Sequence, residues 1–387
     1  MINVKSLEKC TGCGACANIC PKNAITLTAD ESGFLYPQID GDKCVNCSLC
    51  NNVCQMETKS GEETFERKFY ALINRNEEQL KVSSSGGAFL AAAEYVFSLN
   101  GVVAGCAFDE ELEANHIITY NMDECIEKLC GSKYVQSDTK NVYSEIKKCL
   151  LEGKTVLFVG TPCQVEGLYL FLKEKPENLI TMDLICHGVS SPLLWKKHKN
   201  YLEDKVRAKI SKYRFRGKEK TGWALYYYYY YGNKNRCRRG PSVLDRYYAD
   251  FLKGINYRES CYQCQFAKIE RVGDVTIGDF WGAEKFIDGV DMHNGVSLIA
   301  VNSEKGRKFV EEIADKVILK EVAEENAAED NHNLIKPTAR PLERDGYYQR
   351  CFANFELWEK EYVETRAWKI AKLKSMVPSF IKKALRR

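Results

Sequence analysis

Two cysteine runs of identical spacing constrain this chain more than any other feature. The first is Cys10, Cys13, Cys16 and Cys20, followed by Pro21. The second is Cys44, Cys47, Cys50 and Cys54. The local sequence repeats as well, since Lys43-Cys44-Val45-Asn46-Cys47 restates Lys9-Cys10-Thr11-Gly12-Cys13. Thiolates are soft ligands that suit iron–sulfur clusters, and this spacing is that of paired 4Fe-4S sites. In such a pair the fourth cysteine of each run ligates the other cluster. Cys10, Cys13, Cys16 and Cys54 then hold one centre, and Cys44, Cys47, Cys50 and Cys20 the other. Zinc or disulfides are the alternative, but two copies of the run with Pro21 argue against it. Residues 1–56 therefore form an α+β, ferredoxin-like unit that moves single electrons.

The remaining composition sets limits. A chain of 387 residues suffices for two or three domains. Its 45% hydrophobic and 28% charged residues are ordinary for a globular protein. A net charge of +3 carries no global bias towards nucleic acid, and no nucleic-acid partner is expected. Met1 leads almost directly into the first run, and no apolar stretch is long enough to span a bilayer. A reducing cytoplasm is expected, with the 18 cysteines acting as ligands or small buried residues.

Residues 57–68 are polar and read as a linker. In 69–150, Phe69–Asn74, Gly101–Phe108 and His116–Tyr120 read as strands, and Ala88–Leu99 and Asn121–Leu129 as helices, the latter ending at Gly131. In 151–350, apolar strands at Thr155–Gly160 and Asn178–Ile185 alternate with helices at Pro162–Lys173 and Pro192–Val206. That alternation argues for an α/β body with a mainly parallel, doubly covered sheet. Lys209–Arg216, Trp223–Tyr231, Asp274–Asp279 and Val296–Val301 read as further strands, and Glu304–Asp315 as a helix. Tyr226–Tyr231 is a run of six tyrosines, expected to pack one face and expose the other. Residues 351–387 form a basic helical tail. Arg366–Arg387 carries eight Lys/Arg and no acid, with Trp368, Ile370, Leu373, Met376, Val377, Phe380 and Ile381 interleaved and Pro378 interrupting. Such a tail suits either packing on the body or peripheral contact with an anionic membrane.

A third cysteine set is scattered. Cys163 and Cys186 each follow a predicted parallel strand, at the edge where open α/β sheets place ligands. Adjacent strands lie about 4.8 Å apart, so the two sulfurs can converge. Cys261 and Cys264 add two more thiols. A third 4Fe-4S cluster is favoured over zinc because the chain already carries two. Ser83-Ser84-Ser85-Gly86-Gly87 opens a helix, where free N–H groups and the helix dipole favour a phosphate. Gly131-Ser132-Lys133-Tyr134 is a second small-residue turn. Flavin is the usual converter between one-electron clusters and two-electron chemistry.

Gly160-Thr161-Pro162-Cys163-Gln164, Asp183-Leu184-Ile185-Cys186-His187-Gly188, Cys261-Tyr262-Gln263-Cys264 and the segment Gly273–Gly282 resemble the beta-subunit family of coenzyme F-420 hydrogenase and dehydrogenase. Ser83–Gly87 and Gly131–Tyr134 resemble its amino-terminal half. The resemblance spans about residues 69–335 and implies an oxidoreductase with FAD beside a cluster. By it, Cys163, Cys186, Cys261 and Cys264 ligate the third cluster, while Ser84, Ser85, Gly86, Gly87 and Lys133 contact FAD. It implies passage of electrons between clusters and a small two-electron substrate, either a deazaflavin coenzyme or a polysaccharide-pathway intermediate. The partner is an external ferredoxin-like carrier or a redox subunit, and a non-catalytic electron-transfer subunit is the alternative. The fused ferredoxin unit and the tyrosine run depart from a stand-alone beta subunit. His187 beside a ligand is a candidate proton donor, with a structural role as the alternative.

Overall fold

The computed structural model describes residues 7–58 and 65–377. Pro378, Phe380 and Ile381 of the expected tail lie outside the described residues. The N-terminal unit contains one hairpin, β1 (Ile25–Ala29) paired antiparallel with β2 (Leu35–Ile39). Two single-turn helices, Ala15–Asn18 and Leu49–Asn52, each hold the third cysteine of a run, Cys16 and Cys50.

The body is built on an eight-stranded mixed sheet. Its strands are β3 (Lys68–Asn74), β4 (Val102–Phe108), β5 (Ala114–Thr119), β6 (Val156–Gly160), β7 (Leu179–Leu184), β11 (Val275–Asp279), β12 (Ser297–Val301) and β13 (Val317–Val322). Their order across the sheet is β13-β3-β12-β11-β7-β6-β4-β5. The middle four, β11-β7-β6-β4, run parallel. Antiparallel strands flank them on both sides. Both faces are covered, as the apolar strands require. Val103, Leu157 and Met182 pack against helix Ala88–Ser98 on one face. Val102, Val156 and Phe158 pack with helices Val142–Leu151 and Pro162–Leu172 on the other.

A three-stranded antiparallel sheet projects from this body. Its strands are β8 (Ile210–Arg214), β9 (Tyr226–Tyr231) and β10 (Arg236–Pro241), with β9 in the centre. The tyrosine strand departs from the expected one-sided pattern. Neighbouring Tyr228 and Tyr229 point to opposite faces, and both are buried. Tyr228 lies over Gly217, where any side chain would collide with its ring. Tyr229 stacks beside Tyr213. The strand is thus covered on both sides at its middle.

The expected helix at 121–129 begins as Met122–Glu124 and continues as a wider π-type turn, Cys125–Leu129. Gly131 follows with φ +92°, a left-handed position that glycine adopts without strain. The tail folds as helices Tyr347–Ala353, Phe355–Glu364 and Arg366–Met376. Among the described residues no helix is long and apolar enough to cross a membrane.

Candidate functional site

The two cysteine runs fold alike at the backbone. Gly12 and Gly14 flank Cys13 in left-handed conformations, at φ +70° and +77°. Asn46 and Ser48 flank Cys47 in the same way, at φ +54° and +60°. Asn tolerates this region better than most residues and Ser does so at a cost, so the shared geometry reflects a shared loop shape. Such turns aim successive N–H groups inward, as anion-binding concavities do. Cys13 accepts from the Ala15 amide and Cys16 from that of Ala17. Cys20 Sγ accepts from Ala24 N at 3.2 Å.

The fourth cysteine of each run lies with the other run's first three. Cys10, Cys13, Cys16 and Cys54 lie close together: the charges of Cys10 and Cys54 raise Cys13 and Cys16, and that of Cys10 raises Cys54. Burial is the larger cause and pushes Cys13 up to about 11. Cys20, Cys44, Cys47 and Cys50 line one cavity together. Cys47 at its rim is exposed.

The third set also gathers. Cys163 sits in the first turn of helix Pro162–Leu172, beyond the end of β6. Gln164 Oε1 accepts from Thr161 N and fixes that turn. Cys186 follows β7, and Cys261 lies in the 3-10 turn Glu259–Gln263, with Cys264 next in the chain. Cys163 is raised first by burial, then by the charges of Cys186 and Cys264. Burial is likewise the first cause for Cys186, with Cys261 and Cys264 adding to it. Buried Asp183 anchors this loop to β7: it accepts from Gly273 N at 3.0 Å and pairs with Arg271 at 3.4 Å. Among the described residues, no group of three or more His, Cys, Asp or Glu side chains is arranged to hold a single metal ion.

The first and third sets adjoin. A side chain at Gly167, on the helix that carries Cys163, would lie 3.1 Å from Cys13 Sγ. Tyr143 Oη is 2.8 Å from both Cys13 O and Gln164 O. Gln55 Nε2 donates to Cys163 O at 3.0 Å. Arg258 Nε donates to Cys10 O at 2.7 Å and Nη1 to Leu35 O at 2.9 Å, and the guanidinium lies 3.9 Å from the centre of the Tyr36 ring. Gln55 and Arg258 escaped the sequence reading. Their only signal is position, Gln55 directly after Cys54 and Arg258 three residues before Cys261.

The residues expected to touch FAD come together, but their polar atoms are engaged within the chain. Ser84 Oγ accepts from Ser132 N and Ser132 Oγ, both at 2.9 Å. Ser85 Oγ donates to Val296 O. Lys133 Nζ caps the turn before it, donating to the carbonyls of Lys128, Leu129 and Cys130. A side chain at Gly86 would meet Leu72 O at 2.1 Å, so packing against the sheet already requires glycine there. Gly87 is left-handed at φ +87° and begins helix Ala88–Ser98. Further cations border this loop. Arg214 Nη2 donates to Val82 O, and Lys218 Nζ to Leu80 O and Ser85 O. A separate cavity of about 710 Å³, lined among others by Arg67, Gln265, Arg271 and Lys305, includes none of the expected FAD residues.

His187 has its pKa lowered by burial, against the pull of Asp279. Asp279 pairs with Arg216 at 2.5 Å and accepts from Trp223 Nε1 at 3.0 Å. Trp223 stacks on Trp281 at 4.9 Å.

No curated protein matches the chain. Among solved structures, a chain of the F420-reducing NiFe hydrogenase complex from Methanosarcina barkeri is similar at 17% identity. That match covers 78% of this chain and 92% of the other, with a TM-score of 0.43. Residues 9–58 match the 4Fe-4S dicluster domain. Residues 153–327 match the family described as the C terminus of the coenzyme F420 hydrogenase/dehydrogenase beta subunit. The chain therefore joins an N-terminal segment similar to the 4Fe-4S dicluster domain to a region similar to the C terminus of the coenzyme F420 hydrogenase/dehydrogenase beta subunit.

Proposed function

We propose that this chain is an iron–sulfur flavoprotein oxidoreductase. Electrons enter from an external carrier at the exposed second set, Cys20, Cys44, Cys47 and Cys50. They cross to the first set and then to a third 4Fe-4S cluster on Cys163, Cys186, Cys261 and Cys264. FAD held near Ser84, Ser85, Gly86, Gly87 and Lys133 would exchange single electrons for pairs with a small-molecule substrate. The observation that carries the reading is the direct contact of the first and third sets through Gln55 and helix Pro162–Leu172. It supports a continuous path in which the second set faces outward and the first faces inward. Arg214 and Lys218 beside the serine loop support an anionic group there. The stacked Trp223 and Trp281, with Arg216, His187 and Asp279 at the end of β11, support a site for a planar substrate such as a deazaflavin.

A second reading is favoured by the occupied donors of Ser85 and Lys133. In it the chain is an electron-transfer subunit that serves a separate enzyme. Helix Arg366–Met376, with exposed Leu373 and Met376 among lysines, supports peripheral contact with an anionic membrane.

Anaerobic purification with iron, sulfide and flavin quantification separates these readings. About twelve iron atoms and one FAD per chain are expected. Twelve iron atoms without flavin would leave the relay subunit. Eight iron atoms with one zinc would remove the third cluster.

A further inference from the structure

The cavity of about 710 Å³ has no part in the proposed electron path. Its wall comes from the segment entering β3, the loop between Cys264 and β11, and the start of helix Glu304–Glu312. Its size is that of a small-molecule site, about 300–1,000 Å³. Both signs of charge line it, and most are engaged within the chain. Asp274 accepts from Thr181 N at 2.9 Å and Ser303 Oγ at 2.8 Å, and pairs with Lys305 at 3.6 Å. Glu304 turns to Arg307. Glu166, Lys175 and Lys268 have partners as well. Glu66, Glu177 and Glu270 are exposed to water. What remains is two guanidiniums, an amide and Lys308, exposed one turn into the helix. Arg67 Nε and Arg271 Nε are buried donors without a partner among the described residues, and Asn302 Oδ1 is a buried acceptor without one. Unpaired buried groups of this kind are unfavourable, and each calls for a partner that the chain does not supply. Arg271 is held in place, with Nη1 donating to Phe266 O at 2.7 Å and Nη2 to Leu184 O at 2.5 Å. Ser303 caps the helix by accepting from Gly306 N at 3.0 Å, and such a helix start favours negative charge.

We infer that this cavity is a second small-molecule site, one that takes a phosphate-bearing ligand. Arg67, Lys308 and the helix start supply positive charge for the phosphate, and Arg271 Nε adds a fixed donor. Guanidinium forks match phosphate oxygens in shape and charge. Asn302 Oδ1 accepts from an N–H or O–H elsewhere on the ligand. Phe266 and Leu184, which Arg271 holds, lie two residues from Cys264 and Cys186. The ligand thus shares an anchor with the third cysteine set. The site itself needs neither a third cluster nor bound flavin.

The test is isothermal titration calorimetry on the full chain, purified anaerobically, with adenosine diphosphate and with inorganic phosphate as probes. Arg67→Gln and Lys308→Glu are compared with wild type. Lys308 is exposed, so its variant keeps the fold even where Arg67→Gln does not. Saturable binding of at least one probe is expected, weakened about tenfold or more in the variants, as for loss of one charge-assisted hydrogen bond. Iron and flavin per chain should stay at their wild-type levels. Adenosine diphosphate binding more tightly than phosphate identifies a nucleotide-like ligand, and equal affinity identifies free phosphate. No binding of either probe, or binding that neither variant weakens, overturns the inference. Loss of flavin in the variants overturns it too, since the cavity would then be the flavin's own site.

Discussion

On the proposed reading, a single sulfur at Cys163 decides whether the body of the chain joins the electron path. Its turn is held by Thr161 and Gln164, neither of which depends on the thiol for its main contacts. Cys163→Ser therefore keeps the helix start but offers a harder oxygen in place of a soft thiolate. The expected outcome is loss of about four iron atoms per chain, one cluster's worth, with the resonance signals of the N-terminal clusters retained. Iron analysis and spectroscopy on one preparation check it, and unchanged iron would remove Cys163 from the ligand set. The cysteines that gather were legible in the sequence, the first two sets from their spacing and Cys163 and Cys186 from their places after predicted strands. The side chains that join the sets were not. Gln55 meets Cys163 across 108 residues, and Arg258 meets Cys10 across 248. Contacts so distant in the chain leave no local pattern to read.

Among the elements, the helix Pro192–Val206 shows how a buried charge ties the projecting sheet and the tail to the body. His198 is 1% exposed, with Nε2 2.9 Å from Asp245 and Nδ1 2.9 Å from Glu359. Asp245 caps helix Arg246–Leu252 and accepts from Tyr213 Oη on β8, while Glu359 lies on helix Phe355–Glu364. Burial opposes charging the imidazole, but the two carboxylates outweigh it and raise His198 to about 10. Asp245 moves the opposite way, its pKa lowered despite burial by the imidazolium. A raised cationic pKa gives stability that is fully present below the unfolded value of about 6.5 and is lost as pH rises towards the folded one. The melting temperature of wild type is thus expected to exceed that of His198→Gln most at pH 6, with the gap narrowing steadily to pH 10. A gap constant across that range would show that His198 is not charged in the fold. This knot too was silent in the sequence, as were the outer strands β10 and β13. In β10, Arg236–Arg239 are all exposed. β13, at the rim of the large sheet, alternates weakly through Lys320 and Glu321. Charged edge strands discourage pairing with other chains and lack the apolar run that marks a central strand. β6 and β7, buried on both faces, were legible for the opposite reason.

For the whole molecule, the decisive contact is the docking of the two-cluster unit on the body, because electron passage requires the two to stay in register. Arg258 is fully buried, reaches across that seam to Cys10 O and Leu35 O, bonds Gln136 Oε1 within the body, and lies over Tyr36. Its planar fork serves separated acceptors at once, which a lysine ammonium on a flexible stem does less well. Gln136 completes the joint by accepting from Leu35 N at 3.1 Å. Every ligand of the first and second sets lies within residues 10–54, so the two N-terminal clusters do not need Arg258 to form. Arg258→Met keeps much of the buried volume but leaves two carbonyls without their charged donor. Such bonds are worth about 1.5–3 kcal/mol each, so a destabilisation of about 3 kcal/mol at the seam is expected. Hydrogen exchange reads it locally: amides of β1 and β2 should lose protection while those of β6 and β7 keep theirs. The N-terminal clusters should remain, and their reoxidation through the body should slow. Unchanged protection in the hairpin would mean that the unit is held by its apolar contacts alone, through Ala15 and Val53 against helices Val142–Leu151 and Pro162–Leu172.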